Sequence, residues 1–168
     1  MATCSISYSS NTAIALDPSS ISQSSTFITG VESDQVDNTS NLYEDALVDV
    51  KGITAGASAN TVGQELRVYV WGSDVSLATT AIDVFDGTAS AETTTATVLQ
   101  SLRLAAAVQA VVTTGSLVYY LQPFAIAPLF GGVMPKFWGL YLSTSFTGGI
   151  AAGMSGKFQY TGIKRTIA

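Results

Sequence analysis

The stretch LRVYVW at residues 66–71 decides the fold, because its aliphatic side chains alternate strictly with Arg67, Tyr69 and Trp71. In an extended strand successive side chains point to opposite faces, so a period of two is typical of a β-strand. The segment Gly72-Ser73-Asp74 follows and is typical of a chain reversal. The sequence therefore predicts a half-buried strand here, with Arg67, Tyr69 and Trp71 on its outward face.

The same period recurs on both sides of this strand. Lys136–Ser143 (KFWGLYLS) follows Pro135 and alternates, and so does Ala46–Ile53 (ALVDVKGI). Shorter strands are predicted at Thr12–Leu16, Thr26–Val31, Ala81–Phe85, Leu117–Phe124 and Lys157–Ile163. Thr95–Val112 has helical spacing in its middle and Thr and Val at its ends, so one short helix or two strands would fit.

About eight short strands joined by polar, Gly-rich connections predict an all-β protein. The expected architecture is an antiparallel β-sandwich or jelly roll with at most one short helix. Residues 41–168 would form this domain. Residues 1–40, rich in Ser and Thr, would be either an extended N-terminal arm or the first strands of the fold.

The composition indicates a protein that buries more surface than a free monomer would. Apolar residues make up 47% of the chain and charged residues 11%, against about 25% charged in an average soluble protein. A compact monomer with a hydroxyl-rich surface is the alternative. Ser, Thr, Asn and Gly supply most of the remaining polarity.

Charge is divided along the chain. All 12 acidic residues lie between Asp17 and Glu92, whereas the five bases after Thr93 have no acid among them. This division would fit pairing with a charged partner, but two interleaved halves of a sandwich would mix the signs, and we favour that interpretation. Nucleic acid is not an expected partner, because the bases are few and scattered.

Histidine is absent and Cys4 is the single cysteine. The usual general base, the commonest metal ligand and any internal disulfide are therefore missing from the sequence. No stretch has the ~20 apolar residues of a spanning helix, and the first ten residues lack the features of a secretory signal. We expect a soluble protein that binds other proteins, with no cofactor, no metal and no catalytic residues.

Carboxylates offer two weaker hypotheses. Glu32, Asp34 and Asp37 could hold Ca²⁺ through oxygen ligands, but their spacing matches no Ca²⁺ loop, and a solvated acidic loop is the favoured interpretation. A pair drawn from Asp49, Asp83 and Asp86 could act in glycoside hydrolysis if it lay across a cleft.

Aromatic residues give the stronger signal. Trp, Tyr and Arg are enriched at interface hot spots, so the interface candidates are Arg67, Tyr69, Trp71, Phe137 and Tyr141. The alternative is that both faces of these strands are buried inside the sandwich.

The stretch VMPKFWGLYLS (133–143), continued by TSFTGGIAAGMSGKFQY, resembles the C-terminal part of the capsid cement, or decoration, proteins of tailed bacteriophages. In that family a Pro, a basic residue and an aromatic open a late strand, as Pro135, Lys136 and Phe137 do here. A Gly-rich turn and a final strand follow, as at Thr147–Gly149 and Lys157–Ile163. The resemblance extends over residues 45–165, and residues 1–40 are longer than the family pattern.

The resemblance implies a jelly-roll domain that forms a dimer or trimer and binds the outer surface of a capsid. There it would bridge neighbouring major capsid subunits and stabilise the shell. Two alternatives remain. One is a phage tail or receptor-binding β-sandwich module, and the other is a carbohydrate-binding module or glycosidase.

Overall fold

A computed structural model describes residues 4–167 of the chain. Its strands are β1 (Cys4–Tyr8), β2 (Thr12–Ala13), β3 (Thr29–Glu32), β4 (Val36–Asp37), β5 (Asp45–Val50), β6 (Ile53–Thr54), β7 (Glu65–Ser73), β8 (Ser90–Thr93), β9 (Arg103–Gln109), β10 (Val118–Tyr119), β11 (Phe124–Ala125), β12 (Phe137–Thr144) and β13 (Phe158–Ile167). The described chain also contains a short α-helix, α1 (Ala96–Ser101), and two 3-10 turns at Pro18–Ser20 and Ala127–Phe130.

Most strands belong to two antiparallel sheets. Sheet I has the order β1-β13-β5-β11, with β2 also paired to β13. Sheet II has the order β8-β3-β12-β7-β9, with β4 also paired to β12. β6 and β10 form a separate two-stranded ribbon. The two sheets pack face to face, so the predicted all-β sandwich with at most one short helix is confirmed.

The two strands predicted most clearly form the centre of sheet II. β7 and β12 pair in unbroken register from Phe137 opposite Ser73 to Thr144 opposite Leu66. Val68, Val70 and Leu140 point into the space between the sheets and are fully buried there. The rings of Trp138 on β12 and Tyr160 on β13 meet edge to face, 5.4 Å apart, so this contact joins the two sheets.

The opposite face of sheet II is buried as well. Tyr69, Trp71 and Tyr141 are 6%, 2% and 0% exposed, and they pack with Leu77, Phe85 and Leu102. The last three residues lie outside the central strands, in the segment 74–102 that connects β7 to β9. The prediction of a half-buried strand with exposed aromatics was therefore wrong, because this segment folds back over the outer face of the sheet.

The segment Ala81–Phe85, predicted as a strand, is a tight reversal. Ile82 and Phe85 exchange backbone hydrogen bonds of 2.9 and 3.0 Å, and Asp83 between them has a φ of 55°. Phe85 is fully buried while Ile82 is 36% exposed. The apolar residues of this segment therefore belong to a turn that is held in place by the buried Phe85, and the prediction of a strand was wrong.

The ambiguous stretch Thr95–Val112 combines both interpretations. The hydroxyl of Thr95 accepts a hydrogen bond from the Val98 N–H, a helix cap that begins α1. β9 follows directly at Arg103. The predicted strand Leu117–Phe124 is interrupted, since only its two ends pair, as β10 and β11.

Residues 4–40 supply strands to both sheets. β1 and β2 pair with β13 in sheet I, and β3 lies inside sheet II between β8 and β12. The described part of this stretch is therefore a set of first strands of the sandwich and not a free arm. The strands β1, β4 and β8 went unpredicted, because β4 and β8 have only two and four residues and β1 lies in the stretch rich in Ser and Thr at residues 1–40.

The acidic and basic parts of the sequence interleave, as favoured from the charge pattern. Arg165 on β13 forms an ion pair with Glu44 beside β5, at 3.4 Å between Nε and Oε2. None of the helices described in the chain has the length and apolar character needed to cross a membrane.

Candidate protein-binding surface

The five residues predicted for an interface do not form one exposed surface. Tyr69, Trp71 and Tyr141 are buried in the cluster beneath residues 74–102, so they are not available to a partner in this fold. Phe137 is half-buried and packs against the same cluster. Burial raises the pKa of the Tyr141 hydroxyl above its ordinary value, which keeps this buried group neutral.

Arg67 is partly exposed, and its side chain is already engaged. Its guanidinium carbon lies 3.9 Å from the centre of the Phe27 ring, and its Nη2 lies 2.6 Å from Glu65 Oε2. About a third of the side chain is exposed. The Arg67 side chain is therefore held by contacts within the folded domain.

A different surface has the features of a binding site: the loop from Ala127 to Lys136, which begins with a 3-10 turn and leads into β12. We call this loop and the clefts beside it the 127–136 surface. The loop contains Pro128 and Pro135, which restrict the backbone, and its Gly131 has the left-handed φ of 72° that ends the turn. The Gly132 N–H donates to the Ala127 carbonyl at 2.9 Å, so the loop is a closed and ordered turn.

Asp45 holds the start of this loop in place. Its Oδ1 accepts hydrogen bonds from the backbone N–H groups of Ile126 at 3.1 Å, Ala127 at 2.8 Å and Ala46 at 2.8 Å. Hydrogen bonds to an ionised acceptor are stronger than neutral ones. An outward carboxylate of β5 therefore anchors a loop that the sequence places about 80 residues away.

The far end of the loop is fixed by close packing on β7. Gly72 has no side chain, and a Cβ built there would lie 2.6 Å from Pro135 Cγ and 2.7 Å from Phe130 Cζ. Real Cβ atoms do not approach other carbon atoms so closely. The loop can sit this near the strand only because residue 72 is Gly.

Three clefts border the loop. A cleft of about 500 Å³ lies between it and the end of β7, lined by Phe130, Val133 and Met134 with Asp74. A second of about 330 Å³ separates Met134 from Leu42 and Tyr43. A third of about 400 Å³ lies between Ala127 and β1. Grooves on both sides of a rigid loop suit a partner with protruding side chains.

Apolar side chains are exposed throughout this surface. Val133 is 71% exposed, Leu42 64%, Tyr8 67% and Ile6 56%. Asp74, Lys136, Glu44 and Arg165 line the same clefts. Exposed apolar side chains accompanied by charged ones are found at protein–protein interfaces.

One signal in the sequence could have found this surface. Residues 104–135 contain no Asp, Glu, Lys or Arg, although the rest of the chain carries 19 charged residues. Exposed loops normally carry charged residues, so the part of this uncharged stretch that forms an exposed loop with Gly and Pro is a candidate contact surface. Aromatic alternation pointed instead to β7 and β12, where both faces are internal.

The acidic group Glu32, Asp34 and Asp37 is not assembled around a common point. Asp34 Oδ1 accepts a hydrogen bond from the Ala89 N–H at 2.7 Å. Asp37 Oδ1 accepts from the hydroxyl and the N–H of Thr39, and these bonds lower the pKa of Asp37. Among residues 4–167, no three His, Cys, Asp or Glu side chains are grouped so that they could hold a metal ion.

Glu32 differs most from the solvated loop that we expected, because it is fully buried. Its two carboxylate oxygens accept hydrogen bonds from the backbone N–H groups of Asp86 at 3.2 Å and Gly87 at 3.1 Å. Burial raises its pKa to about 8, the backbone hydrogen bonds oppose this, and the negative charges of Asp86 and Glu92 add to it. Glu32 thus ties the segment 74–102 to sheet II.

The carboxylates considered for glycoside hydrolysis are divided between the two sheets. Asp49 lies on β5 of sheet I and is exposed, whereas Asp83 and Asp86 lie in the segment that covers sheet II. Asp83 accepts a hydrogen bond from the Thr94 hydroxyl at 3.1 Å, and Asp86 accepts one from the Thr88 N–H at 2.9 Å. Asp83 and Asp86 therefore stabilise turns in that segment.

No protein-family model, no curated protein and no solved structure matches this chain.

Proposed function

We propose that this chain is a structural protein of a tailed-bacteriophage particle, a cement protein that binds the outside of the capsid through the 127–136 surface. The observation that carries the proposal is an ordered loop, uncharged from Ala127 to Pro135, with exposed apolar side chains and clefts on both sides. The first residues of the stretch that resembles the cement proteins, Val133–Lys136, lie in this loop.

The geometry favours a protein partner. The loop is anchored at one end by Asp45 and at the other by its packing on Gly72, so it is ordered before binding. Preorganisation lowers the entropy lost on association. Val133 at the loop would enter a partner's pocket, while the partner's side chains would fill the neighbouring clefts.

The partner would be the major capsid protein. A capsid displays the same site many times, so a contact of modest size repeated over the shell gives strong overall attachment. One contact of standard size, about 1,600 Å² in total, would allow a copy to touch two adjacent capsid subunits and hold them together. This role needs no cofactor, nucleic acid or membrane.

A substitution at the loop tests the proposal. We expect Val133→Glu to weaken binding to capsids by at least about tenfold, because it would bring a charge into an apolar contact. The matched control is Val118→Glu. Val118 is 48% exposed, lies in the same uncharged stretch and lines none of the three clefts.

The measurement is co-sedimentation of the purified chain with capsids assembled from the major capsid protein of the virus that encodes it. Thermal unfolding of both variants should match the unsubstituted protein, since both side chains are exposed. Capsid binding by Val133→Glu at the unsubstituted level would refute the assignment of this surface.

A further inference from the structure

We propose that the connection from β7 to β8, residues 74–89, is a lid over the outer face of sheet II, and that it opens when Glu32 loses its proton while the sandwich stays folded. We call this connection the 74–89 lid. Its opening would uncover Tyr69, Trp71 and Tyr141. The inference goes beyond the proposed function and concerns a different part of the molecule from the 127–136 surface.

The path of the chain explains why the lid lies on this face. Sheet II has the order β8-β3-β12-β7-β9, so a chain that leaves β7 and enters β8 has to cross β12 and β3. Within the lid, all of which the structure describes, only Leu77 and Phe85 are buried. Both pack on the aromatic residues of β7 and β12, and the Phe85 ring meets the Tyr141 ring edge to face at 5.2 Å. Two apolar side chains thus fasten the lid to the sheet.

Three side chains at the end of β3 and just after it hold the backbone of the lid. Glu32 accepts hydrogen bonds from two of its N–H groups. Asp34 Oδ1 accepts one from the Ala89 N–H at 2.7 Å. Gln35 Oε1 accepts one from the Leu77 N–H at 2.8 Å. The closed position of the lid therefore depends on a short stretch of chain in which Glu32 can change its charge.

Glu32 is the fully buried member of these three side chains, and a charge on it would have no counter-ion. Within residues 4–167 it forms no ion pair, and its charged neighbours, Asp86 on the lid and Glu92 on β8, are both acids. Opposite it on β12 stands Tyr141, whose buried hydroxyl is neutral. A buried charge without a partner is costly, and burial accordingly raises the pKa of Glu32 to about 8.

Opening the lid would bring water to this carboxylate and leave the rest of the fold in place. Sheet II has one apolar cluster between the two sheets and a separate one on its outer face. Leu77 and Phe85 belong only to the outer cluster, so their release keeps the contacts between the sheets. The Trp71 indole N–H meets no acceptor within residues 4–167, and water would satisfy it in the open state. The lid is thus a unit that can open locally.

The proton on Glu32 couples the lid to pH. With the lid closed, Glu32 keeps its proton up to about pH 8, whereas a hydrated carboxyl would lose it near the ordinary pKa of 4.5. The closed state therefore binds more protons across this interval. The ratio of open to closed molecules should rise about tenfold for each pH unit within it.

Native-state hydrogen exchange of the purified chain between pH 5 and pH 8 tests the inference. The measured quantity is the protection factor, the intrinsic exchange rate of an amide at each pH divided by its observed rate. We expect the protection factor of the Leu77 N–H to fall about tenfold for each pH unit. At every pH it should lie at least about 100-fold below the protection factors at the centre of β7 and β12, because the lid opens before the sandwich unfolds.

Two variants separate Glu32 from its neighbours. Glu32→Gln should make the Leu77 protection factor independent of pH in this interval, because an amide does not ionise. The matched control is Asp34→Asn, which neutralises an exposed carboxyl that holds the same lid and should keep the tenfold slope. The Leu77 N–H is bonded to Gln35, so neither substitution changes its own acceptor.

Equal protection factors at Leu77 and at the centre of β7 and β12 would overturn the inference, since the lid would then open only when the whole sandwich unfolds. An unsubstituted protein without the pH slope, a slope that persists in Glu32→Gln, or a slope lost in Asp34→Asn would overturn it as well. Circular dichroism of each variant verifies that the sandwich is intact. No capsid is present in this assay, so its outcome is independent of the result for Val133→Glu.

Discussion

The outward faces of β5 and β7 show how one sequence pattern leads to two environments. Both strands alternate, and both turn one set of side chains into the space between the sheets. The other set on β5 is Asp45, Leu47 and Asp49, and this face stays open to solvent or to the 127–136 loop. The corresponding set on β7 includes Tyr69 and Trp71, which lie under residues 74–102.

The difference teaches that alternation identifies a strand but leaves the number of buried faces open. A face with carboxylates between its apolar residues cannot be covered without pairing those charges. A face of Tyr and Trp can be covered, provided that another segment supplies apolar residues. Here Leu77, Phe85 and Leu102 do so, and they come from a connection with weak periodicity.

The largest expected effect is at Trp71. We expect Trp71→Ala to lower the free energy of unfolding by about 3–5 kcal/mol, as for other large buried side chains. Leu47→Ala, on the outward face of β5 and 40% exposed, should cost about 0.5 kcal/mol. Urea denaturation measures both, and equal small effects would show that residues 74–102 do not cover β7.

The free energy of unfolding should depend on pH through Glu32, which holds residues 74–102 against sheet II. The folded protein keeps the Glu32 proton up to about pH 8, whereas the ordinary pKa is 4.5. The folded state therefore binds more protons across that interval, and the free energy of unfolding should fall as the pH rises, by up to about 1.4 kcal/mol for each pH unit.

Glu32→Gln should remove this part of the slope, because an amide keeps an acceptor for the Asp86 or Gly87 N–H and does not ionise. Unfolding curves at several values between pH 5 and pH 8 give the comparison. Identical slopes in the two proteins would show that Glu32 does not hold its proton in the folded state.

Gly139 gives a sharper test of how the Trp71 ring packs beneath residues 74–102. A Cβ at this position would lie 2.6 Å from Trp71 Cε2, so Gly139→Ala should destabilise the protein by about 1–3 kcal/mol through overpacking. In the Trp71→Ala background the same substitution should cost far less, since the indole is gone. A double-mutant cycle measures this coupling, and additive effects would contradict the packing described for Trp71.

A smaller effect than at Trp71 is expected on the open face, at Asp45. Asp45→Ala removes the acceptor of three backbone N–H groups and should cost about 1–2 kcal/mol. Hydrogen exchange of Ile126 and Ala127 should become faster, and capsid binding should weaken because the loop is no longer preorganised. Asp45→Asn keeps the acceptor oxygen, so it should retain most of the protection from hydrogen exchange and most of the capsid binding. Unchanged exchange in Asp45→Ala would contradict the anchoring role of Asp45.

The sequence predicted the parts of the fold that depend on local pattern. The strands predicted at Leu66–Trp71 and Lys136–Ser143 form the centre of sheet II. Their alternating stretches pair with each other there, as β7 and β12. It failed at Ala81–Phe85, because a turn anchored by one buried aromatic resembles a short strand. It also left β1 unpredicted, because the alternation of Cys, Ile and Tyr with Ser extends over only five residues within a stretch rich in Ser and Thr.

The candidate surface was harder to predict, because its features come from distant parts of the chain. The bonds from Asp45 to Ile126 and Ala127, and the close packing of Gly72 on Pro135 and Phe130, are set only when the sandwich forms. Aromatic composition directed attention to Trp71 and Tyr141, which are internal. The absence of charge in residues 104–135 was the better guide.

The most direct test of the proposed function is a cryo-electron microscopy reconstruction of the virus particle that we propose carries this chain. The account predicts many copies distributed over the outside of the shell, with Val133 and the 127–136 loop against the major capsid protein. A few copies confined to one vertex, or a bound copy whose 127–136 loop faces solvent, would contradict it.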